Sequence, residues 1–146
     1  MDLHVPPPEW GEISPDRWTQ PFWDAAGEHR LLCARCEDCG LMRMPPGPFC
    51  PSCRSQDLDW VELSGRGTVF SWTVVHHPVM PDLAGSVPYG VALVELEGGQ
   101  GVRLLGNLVG VDSDAVEAGM EVELEWADIR PGLSLPRFRP AGSQTI

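Results

Sequence analysis

Along residues 120–126 apolar and acidic positions alternate: Met120, Val122, Leu124 and Trp126 against Glu121, Glu123 and Glu125. A period of two marks a strand buried on one face, so the three carboxylates are expected on its solvent side and chemically inert. Residues 68–77 alternate similarly and are rich in β-branched and aromatic side chains. Residues 89–97 form a second run and 102–109 a third, with Glu97-Gly98-Gly99-Gln100 as the turn between them. Residues 112–118 read as one or two helical turns closed by Gly119, and a last short strand is expected in 133–139. Five strands with a short helix before the fourth predict an OB-type barrel.

Upstream the pattern changes. Thr19 stands where a side chain caps a helix, Pro21 suits a first turn, and Phe22, Trp23, Ala25 and Ala26 follow before Gly27. A helix this short is marginal alone. Its aromatics therefore either pack on the neighbouring module or dock a partner through Phe22 and Trp23. Residues 31–35 and 41–44 read as two short strands flanking the first Cys-x-x-Cys, a Pro-rich connection lies at 44–48, and residues 59–63 lead into the second half.

Composition narrows the class. The chain has 146 residues, with 16 Gly and 15 Pro, which favours short strands and tight turns over a helical bundle. Its net charge is −11, shared by both halves, and it contains no Lys. This balance disfavours nucleic-acid binding, which draws on phosphate neutralisation. The lack of Lys excludes a Schiff-base mechanism on this chain alone. No apolar run reaches the ~20 residues of a membrane span, and the first ten residues do not read as a signal peptide. A cytoplasmic protein is expected, and in that reducing compartment paired Cys-x-x-Cys spacing points to metal rather than disulfides.

The pairs are Cys36-Glu37-Asp38-Cys39 and Cys50-Pro51-Ser52-Cys53. Two such turns facing each other supply four thiolates in a tetrahedron, which suits Zn²⁺ as a closed structural site worth on the order of 10 kcal/mol of folding free energy. A single iron would share this ligand logic. Cys33 extends the first pair into a faint echo of iron–sulfur spacing, but Cys53 is then unexplained; Cys33 is read as a small apolar strand residue. The predicted architecture is mainly β: a flexible tail over 1–18, loose or partner-docked, an N-terminal helix and rubredoxin-like zinc ribbon over 19–60, and a five-stranded OB-fold barrel with a C-terminal segment over 61–146.

Several segments occur together in one order: Pro21-Phe22-Trp23, Cys36-x-x-Cys39-Gly40, Pro45-Pro46, Cys50-Pro51-x-Cys53, Ser64-Gly65-x-Gly67, Ser71-Trp72-Thr73, Val87-Pro88-Tyr89 and Leu105-Gly106-Asn107. Over about residues 19–140 the chain resembles the zinc-ribbon plus OB-fold acyl-CoA-associated proteins. The resemblance implies a non-catalytic accessory subunit of a thiolase-fold enzyme acting on acyl-CoA thioesters, an aldolase of steroid side-chain degradation or an acyltransferase. It further implies possible contact with an acyl-CoA hydratase, and with coenzyme A or acyl-CoA as ligand. Cys33 and the His76-His77 pair depart from the family pattern.

A coenzyme A or partner surface needs cations for phosphates and flat groups for adenine or pantetheine. Arg137 is the first candidate, with Arg103, and Trp72, Tyr89 and Phe138 supply the aromatic side. The ordinary alternatives are that the aromatics fill the barrel and the arginines pair with carboxylates. His76 and His77 are expected to close the first barrel strand, one pointing inward and one outward. The competing readings are a nucleic-acid-binding ribbon/barrel protein, a rubredoxin-like redox protein, and a free-standing acyl-CoA enzyme.

Overall fold

The computed structural model describes residues 3–7 and 12–142. The chain begins its regular structure with α1 (Gln20–Gly27), and Pro21 sits in the first turn. The Thr19 side chain does not cap this helix as expected. Its hydroxyl donates instead to Asp16 Oδ1 at 3.1 Å, and the Asp16 N–H returns a bond to Thr19 Oγ1 at 3.2 Å. The same Oδ1 accepts the backbone N–H groups of Trp18 and Thr19. The entry is therefore organised one turn earlier, by Asp16.

A three-stranded antiparallel sheet follows, ordered β2–β1–β3, from β1 (Leu31–Cys36), β2 (Met42–Arg43) and β3 (Leu58–Leu63). Phe22, Ala25 and Ala26 are buried, and Phe22 meets Trp23 edge-on at 4.9 Å between ring centres. The helix thus gains from tertiary packing the stability its length denies it.

The second half closes into a five-stranded barrel from β4 (Arg66–Val75), β5 (Tyr89–Leu96), β6 (Arg103–Leu108), β7 (Glu121–Arg130) and β8 (Leu133–Pro140), ordered β4–β5–β6–β8–β7. All pairings are antiparallel except β6 with β8, which is parallel and spans only Asn107↔Arg137 and Leu108↔Phe138. Phe138, Leu108, Val69, Val94 and Val122 fill the barrel and are fully enclosed. Strand β5 alternates without interruption, burying Ala92, Val94 and Leu96. The turn before β7 is a single 3₁₀ turn (Ser113–Ala115).

Three expectations need correction. A bulge between Val69 and Ser71 breaks the alternation of β4. It leaves Phe70 and Trp72 at 48% and 39% exposure, so Trp72 is not barrel filling. Strand β4 ends at Val75, and His76 and His77 are both exposed beyond it, with neither directed into the barrel. Glu123 and Glu125 are not idle solvent-facing groups: Arg139 of the neighbouring strand lies 3.2 Å and 3.8 Å from them.

At the N-terminal end, the His4 N–H donates to the Pro88 carbonyl at 2.7 Å, and Leu3 packs against the core. Residues 8–11 of the expected tail, with residues 1, 2 and 143–146, lie outside the described residues.

Candidate metal centre and binding groove

Two turns of one design carry the cysteines. In the first, Cys36 N–H donates to the Leu41 carbonyl and Gly40 N–H to the Cys36 carbonyl; in the second, Cys50 N–H donates to Ser55 and Arg54 N–H to Cys50. The fifth residue of each turn is left-handed, Gly40 at φ 79° and Arg54 at φ 67°. This curls the backbone around the first sulfur of each pair. Backbone N–H groups of Asp38 and Cys39 point at Cys36, and those of Ser52 and Cys53 at Cys50.

The four sulfurs all lie within 4.8 Å of one another, with Cys36–Cys53 and Cys39–Cys50 each at 3.5 Å. A tetrahedral Zn–S₄ centre with 2.3 Å bonds has edges of about 3.8 Å, so the donor set fits the ion. The charge argument agrees. The Cys53 backbone N–H leads the groups that bring the Cys50 thiol down to about 6. The Ser55 N–H acts in the same sense on Cys53, but the sulfur of Cys36, burial and the sulfurs of Cys39 and Cys50 outweigh it and push that thiol up to about 12. Four thiolates at this spacing need a cation, and zinc would supply closed structural ligation here, with Cys36, Cys39, Cys50 and Cys53 as its ligands. Cys33 is outside the cluster. It is fully buried in β1 opposite Val61, and burial pushes its thiol up to about 11.

The ribbon is fastened to the barrel at the same turn. Gln100, in the β5–β6 hairpin, accepts the Met42 N–H through Oε1 at 3.3 Å and donates to the Gly40 carbonyl at 3.4 Å. A second clasp joins the end of α1 to the β7–β8 hairpin: His29 Nε2 lies 2.6 Å from Asp128 Oδ1, to which Ser134 Oγ also donates at 2.6 Å. These residue types suggest a catalytic triad, but both His29 and Ser134 address the carboxylate. The serine is not aligned on the imidazole, so no nucleophile is activated.

The other sequence candidates do not form one cluster. Arg103 begins β6 and Arg137 stands opposite Asn107 near its end, about 13 Å apart along the strand direction. Arg103 stacks 3.6 Å from the Phe70 ring centre and faces Glu95 at 4.0 Å. The Arg137 guanidinium makes no hydrogen bond among the described residues, and burial lowers its pKa against the opposing pull of Glu125. Tyr89 is half-buried at the far end of β5, and Phe138 is enclosed in the core and presents no surface. Phe22 is buried, while Trp23 is half-buried and lines a groove.

That groove, of about 950 Å³, runs between α1, the Pro-rich loop after β2, and the open part of β6. Sequence reasoning missed Arg43, which lines it, and Gln100. Neither carries a motif; only the fold brings β2 and the β5–β6 hairpin together.

Comparison with known proteins agrees with this architecture. Residues 23–59 match the model described as "ChsH2, rubredoxin-like zinc ribbon domain", and residues 60–127 that described as "ChsH2, C-terminal OB-fold domain". A probable enoyl-CoA hydratase alpha subunit of Thermomonospora curvata is 51% identical over 84% of the chain and 38% of its own length. The 3-oxo-4,17-pregnadiene-20-carboxyl-CoA hydratase alpha subunit of Mycobacterium tuberculosis is 42% identical over 88% of the chain and 42% of its own length. The chain thus spans about two fifths of these relatives. A DUF35 domain-containing scaffold protein of Pyrococcus furiosus is 37% identical, with 77% of the chain and 85% of that protein covered. A solved structure described as the Ltp2-ChsH2(DUF35) aldolase superimposes with a TM-score of 0.80 at 47% identity, covering 89% of this chain and 99% of that one. With its zinc ribbon, its closed OB barrel and these relatives, the chain belongs to the ChsH2/DUF35 family.

Proposed function

We propose that this protein is a non-catalytic accessory subunit that binds and supports a thiolase-fold enzyme acting on acyl-CoA thioesters. The observation that carries this reading is the match over almost the whole length of a chain from an aldolase assembly. The scaffold name borne by another relative points the same way. The steroid-CoA name of a third supports an aldolase of steroid side-chain degradation as the enzyme served, and the hydratase names support an acyl-CoA hydratase as a further partner. Zinc in the four-cysteine cluster would hold the two turns of the ribbon together, Gln100 fastens the ribbon to the barrel, and the barrel presents its exposed apolar face to the partner. Phe70 and Trp72 on β4 and Leu105 on β6 are 39–59% exposed, a concentration of large apolar groups that marks an interaction site. Coenzyme A, if it reaches this chain, meets Arg137 and Arg103 through its phosphates, with Trp72 and Tyr89 as flat contacts.

Native mass spectrometry of the tagged protein, isolated gently from its own host, tests the reading. One zinc per chain and a stoichiometric thiolase-sized companion are expected, and the companion is lost in Trp72→Ala. A chain that carries zinc but no companion, or turns over acyl-CoA alone, overturns the accessory role. Iron in place of zinc, with a red colour, would establish the redox alternative.

A further inference from the structure

The outer edges of β3 and β4 are treated differently. Strand β3 pairs with β1 alone, and its open edge is guarded. Asp59 and Glu62 lie on it, and the Asp59 carboxylate accepts the Trp60 N–H at 2.9 Å, a group that an incoming strand would need.

Strand β4 is paired on both sides only at its start. Arg66, Gly67 and Thr68 face β7, and Val69 extends that side through Met120 and Gly119. Beyond the bulge, Ser71 to Val75 pair with β5 and with no other backbone group among the described residues. The direction of the open groups follows from β5. The Pro88 carbonyl accepts the His4 N–H, and the Gly90 carbonyl accepts the Asn107 side chain of β6. Backbone groups alternate in direction along a strand, so Tyr89, Val91 and Leu93 turn the other way, toward β4. Their register partners Val75, Thr73 and Ser71 bond to them. Trp72 and Val74 therefore turn their N–H and C=O groups outward. No charged residue and no proline occurs from Gly67 through Val75, and Ser71, Trp72 and Thr73 are exposed. An open edge that is aromatic, β-branched and unguarded is a template for another strand.

Building on the accessory-subunit role proposed above, we infer that the outer edge of β4 at Trp72 and Val74 is a β-addition site, where an extended segment of the partner enzyme joins the barrel as a further strand. Charge selects the occupant. A second copy would bring −11 against −11, whereas a partner segment flanked by Lys or Arg is drawn to this chain. The four outward backbone groups fix its register. Its side chains alternate between apolar ones beside Trp72 and Val74 and polar ones beside Ser71 and Thr73.

Residue-resolved amide exchange on the purified zinc-loaded chain, and on the complex co-isolated from its host, tests this. In the free chain the Trp72 and Val74 amides are expected to exchange at least about tenfold faster than those of Ser71 and Thr73, and in the complex to slow to match them. Val74→Pro removes an outward N–H that the fold does not use, so it leaves the chain folded and weakens the companion about tenfold or more. Val74→Ala keeps that N–H and weakens the companion less than about threefold. Should Val74→Pro fail to fold, the exchange measurement on the wild type decides. A companion bound while both amides stay fast, or bound equally well by folded Val74→Pro, overturns the β-addition site and leaves the accessory role standing. A chain with no companion overturns both. A homodimer of the purified chain that protects the same two amides gives the edge to a second copy and overturns the partner assignment.

Discussion

Gly40 and Arg54 occupy the same place in two copies of one turn, and only Gly40 is the residue that a left-handed backbone favours. A Cβ at Gly40 would meet nothing within 4 Å, so the cost of Gly40→Ala is purely conformational. It is expected to be about 1 kcal/mol, read as a lower thermal midpoint in the zinc-loaded protein. Gly67 is held for the opposite reason. Its φ is ordinary, but a Cβ there would lie 2.6 Å from Val94 Cγ1 and closer still to the Glu95 carbonyl. Backbone cannot yield as a flexible side chain can, so Gly67→Ala should lose about 2–3 kcal/mol by the same assay, more than Gly40→Ala. Cys33 makes a third prediction at this scale. Buried, and with its thiol pushed up to about 11, it stays protonated and shielded at neutral pH. A thiol reagent added to the zinc-loaded protein should leave Cys33 unlabelled, and a zinc chelator, which unfolds the ribbon, should expose it together with the four ligands. Fast labelling of Cys33 in the zinc-loaded protein would mean that it lies open.

At the scale of elements, the two cysteine turns have little but their metal to hold them. Strand β2 is two residues long, and half of the ten residues between the cysteine pairs are proline or glycine. Cys36→Ser or Cys53→Ser should therefore release zinc, unfold residues 30–60 and abolish partner binding while the barrel strands persist, as followed by zinc content and amide exchange. The ribbon and the barrel strands were legible in the sequence because spacing and alternation report ligand geometry and burial directly. The bulge at Phe70 was not, since it inserts a residue without changing the composition of the strand. Nor was Asp16, whose role depends on a turn that closes before the helix starts. The clasp between α1 and the β7–β8 hairpin was hidden for a third reason: its members, His29 and Asp128, are 99 positions apart. The Asp128 carboxyl is lowered first by Ser134 and then by His29. A carboxyl with a depressed folded-state pKa stabilises above its ordinary value and loses that contribution as pH falls through the depressed one. Asp128→Asn should accordingly melt below wild type at pH 6, and the gap should narrow as pH drops below about 4. A gap independent of pH would assign Asp128 a neutral hydrogen-bonding role.

Over the whole molecule two electrostatic effects oppose each other. Arg30, Arg35, Arg103 and Arg139 are engaged with Glu62, Asp59, Glu95 and Glu123, and these pairs favour the fold. Each is partly or largely solvated, so it contributes little and is screened by salt. Against them stands a net charge of −11 spread over both halves of a small compact chain. Folding concentrates that charge, and the resulting repulsion destabilises the native state relative to the expanded one. Repulsion sums over many pairs at distances beyond contact, where a Debye length of about 10 Å at 0.1 M removes most of it, whereas short ion pairs lose a smaller fraction. The repulsive term should dominate. Raising sodium chloride from about 0.02 to 0.3 M is therefore expected to raise the thermal midpoint of the zinc-loaded protein. A fall instead would show that the ion-pair network outweighs the excess of carboxylates. The same excess bears on assembly, because a partner surface that meets this chain away from the groove must bring positive charge or work against −11, and its association rate should then fall as salt rises.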